Sequence, residues 1–228
     1  MYADDLLLIS LTVTDLQKLI GICQESLKTL DLEINYSKSS CLRIGPRYNV
    51  KAADLYCNDN KLNWVSCIQF LGIHITSGKS FVSNWQHARS NFYKATNGIL
   101  SKLGSNPPLN IALKLVISNC APMLLYGTAA SPARASELKK SSFAFNSVFY
   151  KLFGTKSENE ILFTQYMCNL LGFSHQQNYL RITFLLNLVR KGIIKPQTAF
   201  DEDDFKELGP FMNKYNFNQD SSKNFIKK

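Results

Sequence analysis

The period of the apolar residues changes once along the chain, and that change constrains the fold more than any other feature. Up to Ser77-Gly78, one helical stretch is surrounded by apolar runs short enough for strands. Beyond it, apolar residues recur every three to four positions as far as Gly192. Such a pattern predicts an α+β fold: short antiparallel strands plus a helix over residues 1–80, followed by an all-helical region over 81–192. Residues 193–228 read as a polar C-terminal tail.

In the first part, Leu16, Leu19, Ile20, Cys23, Leu27 and Leu30 keep a helical period over 14–30, and Thr14 and Gln17 have the spacing of a capping box. Residues 1–10 are too β-prone and too short for a helix, which predicts a strand or tight hairpin with Asp4-Asp5 at its turn. Leu32 and Ile34, then Cys41, Leu42 and Ile44, predict two short strands around a polar turn. Further strands are expected over 53–57 and 62–75, separated by the turn Asn58-Asp59-Asn60-Lys61. In the second part, Ser83 and Gln86 are spaced as another capping box before a helix closing at Gly104. More helices are expected at 110–125 (interrupted by Pro122), 136–153, 159–171 and 176–191, with Gly154, Gly172 and Gly192 just past the last three.

The formal charge of +9 is unevenly spread. Residues 1–80 hold eight Lys/Arg against eight Asp/Glu, residues 81–200 thirteen against three, and residues 201–228 five against six. A basic middle of this kind suits a polyanion, because each cation near a phosphate releases condensed counterions; a solvated helical surface is the other reading. The six cysteines lack any C-x-x-C pair and read as reduced thiols, and His74, His87 and His175 share no metal-ligand spacing. Two acids precede the first apolar stretch, and no run approaches a membrane span. The expectation is therefore an intracellular protein, nuclear or cytoplasmic, without membrane contact.

Adjacent side chains on a strand point to opposite faces, so Asp4 and Asp5 can act together only where a sharp turn swings both toward one point. Hard oxygen ligands gathered there suit Mg²⁺ or Mn²⁺, and a pair of such ions stabilises the attacking and leaving oxygens of an in-line phosphoryl displacement. An exposed turn with no chemistry is the alternative for an isolated Asp-Asp.

The stretch Tyr2-Ala3-Asp4-Asp5 resembles the signature turn of reverse transcriptases, and the residues after it resemble the palm and thumb of the enzymes of non-LTR (LINE-type) retrotransposons. LEINYSKSS at 32–40 looks like the family's segment with Asn and Lys, FLGIHIT at 70–76 like its hairpin with a Leu-Gly step, and APMLLYG at 121–127 like a thumb helix ending in Tyr-Gly. The resemblance covers about the first 130 residues. It implies an RNA-directed DNA polymerase working by two-metal nucleotidyl transfer, with Mg²⁺ or Mn²⁺ as cofactor, an RNA template, a DNA primer and deoxynucleotides as partners. On this basis residues 1–80 are the C-terminal part of a palm and 81–192 a thumb-like region.

Residue by residue, the resemblance implies that Asp4 and Asp5 are metal ligands and that Tyr2 supports the turn near the primer end. Lys38 would lie near the nucleotide phosphates and protonate the leaving pyrophosphate; a surface lysine is its other reading. Phe70, Leu71 and Gly72 would hold the primer strand, with an ordinary core strand as their other reading, and Arg89, Lys94, Lys102 and Lys114 would contact duplex phosphates. The family also needs an upstream palm aspartate and fingers, so the chain is expected to start within a polymerase, with Met1 as an internal codon, and to be inactive or nearly so alone. A non-catalytic nucleic-acid-binding remnant is the second reading, and a helical interaction protein with a merely solvated basic surface the third.

Overall fold

The computed structural model describes residues 4–104, 107–131, 134–155 and 157–191. They fall into two compact units, the first ending at His87 and the second beginning at Ala88. The architecture is mixed α+β with a helical C-terminal region, as the change of period requires.

The first unit holds helix α1 (Val13–Lys28) and strands β1 (Ser40–Cys41), β2 (Leu55–Cys57), β3 (Asn60–Trp64), β4 (Cys67–Phe70), β5 (Ile73–Thr76) and β6 (Val82–Asn84). Two three-stranded sheets form, in the orders β1-β3-β2 and β4-β5-β6. Every pairing is antiparallel except β1 with β3. Both hairpins close with two-residue loops whose central residues have positive φ: Asn58 and Asp59 (48° and 59°) join β2 to β3, and Leu71 and Gly72 (47° and 78°) join β4 to β5. This is the backbone that matches the twist of paired strands, and Asn and Asp are among the residues that tolerate it best; the Asn58 side-chain oxygen accepts from the Gln24 amide at 2.6 Å.

Helix α1 begins slightly earlier than its sequence pattern suggests, capped two residues before Thr14. Thr12, in extended backbone, accepts from the Asp15 N–H at 3.1 Å while its hydroxyl donates to the Asp15 carboxylate at 2.7 Å. Gln17, expected to cap Thr14, has a different task. Its amide nitrogen donates to the Tyr56 carbonyl and its amide oxygen accepts from the Tyr56 N–H, both at 2.9 Å. Strand β2 lies at a sheet edge, so one helical side chain satisfies both outward backbone groups of Tyr56. Beneath this clasp Ile20, Cys41, Leu55, Cys57 and Leu62 form a core, flanked by Leu16, Ile34 and Trp64. Burial pushes the Cys41 and Cys57 thiols up. Leu32 and Ile34 form no strand, leaving Ser40–Cys41 as the single strand of that region.

Helix α2 (Gln86–Leu103) starts in the first unit and runs into the second. Its first N–H is met at 2.9 Å by the Asn84 side chain rather than by Ser83, which is buried in β6. The second unit continues with α3 (Leu109–Asn119), α4 (Ala121–Leu125), α5 (Ala135–Phe153), α6 (Glu158–Met167) and α7 (Phe173–Arg190). Pro122, which lacks an N–H, sits in the first turn of α4, so the interrupted pattern over 110–125 becomes two helices. Helix α5 is the hub: Ala144, Phe145, Val148 and Phe149 line one face of it and are fully buried against Val116, Leu124, Ile161 and Phe173. It ends at Gly154, whose φ of 65° lets its N–H return to the Tyr150 carbonyl at 3.1 Å. No helix among the described residues is long and apolar enough to cross a membrane.

Candidate functional site

The chain turns at Asp4, and Asp5 makes a single β-bridge; both carboxylates are exposed. Neither has a hydrogen-bond or ion-pair partner among the described residues. The apolar, β-prone residues 6–10 form no strand, and Leu6, Leu7 and Ile9 are exposed, Ile9 to 78%. Tyr2 lies outside the described residues.

Lys38 sits in a turn organised by Asn35. The Asn35 side-chain oxygen accepts from the Ser37 hydroxyl at 2.7 Å and the Lys38 N–H at 3.2 Å, and its carbonyl accepts from the Ser39 N–H and hydroxyl. This Asx-type turn leads into β1 and leaves the exposed Lys38 ammonium without an acidic partner among the described residues. Phe70, half-buried, closes the β4–β5 hairpin opposite Ile73, and Leu71-Gly72 is its tip. Gly72 suits its backbone; Leu71 does not, since a branched side chain in left-handed backbone is strained by about 1–2 kcal/mol.

Asp4, Asp5, Lys38 and the Leu71-Gly72 tip all belong to the first unit, but no hydrogen bond or ion pair joins one to another among the described residues. Among the described residues no group of three His, Cys, Asp or Glu side chains converges there either. The two aspartates match Mg²⁺ in kind and suffice in number for one ion, which takes one or two carboxylates together with phosphate and water oxygens. Holding a second ion at fixed spacing calls for a further ligand beyond those two.

The cations expected to meet phosphates lie in the second unit and differ in state. Arg89 is 13% exposed, and its guanidinium donates to the Glu137 carboxylate at 2.7 Å, from α2 to α5. Lys140 binds the other oxygen of that carboxylate at 2.8 Å. Burial alone would raise the Glu137 carboxyl, but the hydrogen bonds from Lys140 and Arg89 outweigh it and hold the group below its ordinary range. Lys94 and Lys102 on α2 and Lys114 on α3 are exposed and have no acidic partner among the described residues. At 3.6 residues per turn, Lys94 and Lys102 lie about 80° apart on the side of α2 away from Arg89.

Sequence reasoning did not single out Tyr93, Lys139, Lys140 and Phe143, which with Arg89 line a groove between α2 and α5. A signal for it existed. Glu137 is the only acid between Phe81 and Ser157, and Lys140 stands three residues after it, at helical i+3 spacing. No protein-family model, curated protein or solved structure matches the chain.

Proposed function

We propose that the chain is part of an RNA-directed DNA polymerase of the non-LTR retrotransposon type, with Asp4 and Asp5 as the carboxylates of a nucleotidyl-transfer site for Mg²⁺ or Mn²⁺. The observation that carries this reading is the pair of adjacent, exposed carboxylates at a turn, without partners among the described residues, leading into an α+β unit. That unit then carries the capped helix, the Asn35–Lys38 turn and the Leu71-Gly72 hairpin in the family's order. Two uncompensated carboxylates side by side repel each other and gain most from a shared cation.

In this reading Asp4 and Asp5 bind the ion, which supplies charge stabilisation at the transferring phosphoryl group. Lys38, in the turn organised by Asn35 and without an acidic partner among the described residues, binds nucleotide phosphates and gives a proton to the departing pyrophosphate. The Phe70-Leu71-Gly72 tip lies against the primer strand, where Gly72 presents no side chain to obstruct close approach. Lys94, Lys102 and Lys114 neutralise duplex phosphates without reading sequence, while Arg89, on the other side of α2, ties α2 to α5. Catalysis by positioning falls steeply when ligand geometry loosens, so two carboxylates alone give ion binding with little or no turnover.

Primer extension on an RNA template with Mg²⁺ or Mn²⁺ tests the activity, run beside metal binding. Ion binding that disappears in Asp4→Asn and Asp5→Asn supports the reading even where extension is at background. Robust extension lost in Asp4→Asn would support the activity and refute the low turnover. A second reading, a non-catalytic nucleic-acid-binding remnant, is favoured by the lack of a third converging acidic ligand among the described residues. Salt-dependent duplex binding without metal binding would select it.

A further inference from the structure

The groove between α2 and α5 has a volume of about 420 Å³, within the range of small-ligand sites, and opens to solvent. Its walls are basic and aromatic: Arg89, Tyr93, Lys139, Lys140 and Phe143. Glu137, beside it, is engaged by Arg89 on one oxygen and Lys140 on the other. Three cations against that single carboxylate leave an excess of two positive charges. Lys139 is exposed and has no acidic partner among the described residues. Phe143 is 62% exposed although Phe145 and Phe149 on the same helix are fully buried; its ring centroid is 6.3 Å from that of Tyr150.

We propose that this groove binds single-stranded nucleic acid, one base stacking on Phe143 and the flanking phosphates meeting Lys139 and Lys140. An exposed phenyl ring between lysines offers a flat apolar face beside positive charge, which is what an unpaired nucleotide can use. In a duplex the bases are stacked on one another, so only the phosphates could engage and the ring would contribute nothing. An acidic peptide would likewise satisfy the lysines and leave the ring unused. Arg89 and Glu137 act as positioning residues, fixing α2 against α5 so that the walls keep their separation. Binding here needs neither Asp4 nor Asp5 and stands apart from the metal chemistry.

Fluorescence anisotropy of the full chain in EDTA tests it, with a labelled oligouridylate, an RNA–DNA duplex of equal length and a polyglutamate peptide as probes. Duplex binding, which the proposed function gives to Lys94, Lys102 and Lys114, is expected not to depend on Phe143; oligouridylate binding is. Phe143→Ala should weaken it about tenfold, Phe143→Trp should retain it, and Asp4→Asn should leave it unchanged. The pair Lys139→Gln and Lys140→Gln should reduce the salt slope by about 1.4, the value for two phosphates of a single strand. No binding of the oligouridylate, equal oligouridylate binding by Phe143→Ala, or a loss of duplex or polyglutamate binding in Phe143→Ala as large as that of the oligouridylate would overturn the proposal. Circular dichroism on each variant separates lost binding from lost fold, and because Phe143→Trp keeps the aromatic face, failure of that variant alone to bind would also count against stacking.

Discussion

Arg89 on α2 and Glu137 on α5 meet at 2.7 Å with only 13% and 17% of their side chains exposed, and Glu137 is the only acid between Phe81 and Ser157. In a stretch this basic, one carboxylate neutralises two cations and ties two helices together; a second tie is the Lys151 ammonium donating to the Asn97 side chain at 2.6 Å. Glu137→Ala is expected to destabilise the helical unit by about 1–3 kcal/mol, because it leaves the largely buried guanidinium without its acceptor. A double-mutant cycle with Arg89→Ala in urea should return a coupling of about 1 kcal/mol or more. Additive effects would show that the pair contributes no coupling.

The same carboxylate gives a pH dependence with a definite sign. Its pKa in the folded protein lies below the ordinary 4.5, so the unfolded chain takes up the proton first. Its stabilising contribution is complete above about 4.5 and is lost as pH falls through the lower, folded value. Comparing wild type with Glu137→Gln by thermal melts, the difference in stability should be constant near neutrality and shrink below that point. A difference that grows with acid would contradict the assignment.

Leu71 occupies a left-handed position that glycine or asparagine fills with less strain. Leu71→Gly is expected to stabilise the β4–β5 hairpin, or leave it unchanged, within about 1 kcal/mol, since relieved strain is partly offset by a more flexible unfolded chain. If the tip lies against a primer strand, the same substitution should weaken template–primer binding while the melting temperature holds. Loss of stability beyond that range would mean that the leucine side chain supports the fold.

Gln17 bridges α1 to the edge of the sheet by binding both backbone groups of Tyr56. Gln17→Ala is expected to cost about 1–3 kcal/mol and to expose the β2 edge. Hydrogen exchange at the Tyr56 amide reports it directly: protection should fall in the variant, and unchanged protection would show that the clasp does not hold in solution.

Ile9 and Leu11 are 78% and 104% exposed, so neither belongs to a core. Ile9→Lys with Leu11→Lys should leave the melting temperature nearly unchanged and reduce self-association measured by light scattering. A large drop in melting temperature would show that these side chains are covered in solution.

Much of this architecture was legible because periodicity reports burial. The face Ala144, Phe145, Val148 and Phe149, the glycine past α5 and the break at Pro122 all come from local rules that packing reinforced. What failed were positions where one residue serves a distant partner. Thr14 and Gln17 fit a capping box, yet Gln17 is needed 39 residues away at Tyr56, and Thr12 with Asp15 caps instead. Arg89 reads as a surface cation in sequence because its acid lies 48 positions further on, and the Lys139–Phe143 groove exists only where α2 and α5 meet. Asp4 and Asp5 could be singled out from sequence because their chemistry is local; a converging ligand set is not.

The carboxylate pair is therefore the point on which the proposed function turns, and Mn²⁺ titration monitored by electron paramagnetic resonance addresses it most directly. The wild-type chain is expected to bind Mn²⁺ at a saturable site displaced by Mg²⁺, and Asp4→Asn with Asp5→Asn should abolish that site while the melting curve stays the same. Identical Mn²⁺ binding by the wild type and the double variant would contradict a metal-dependent nucleotidyl-transfer site at this turn.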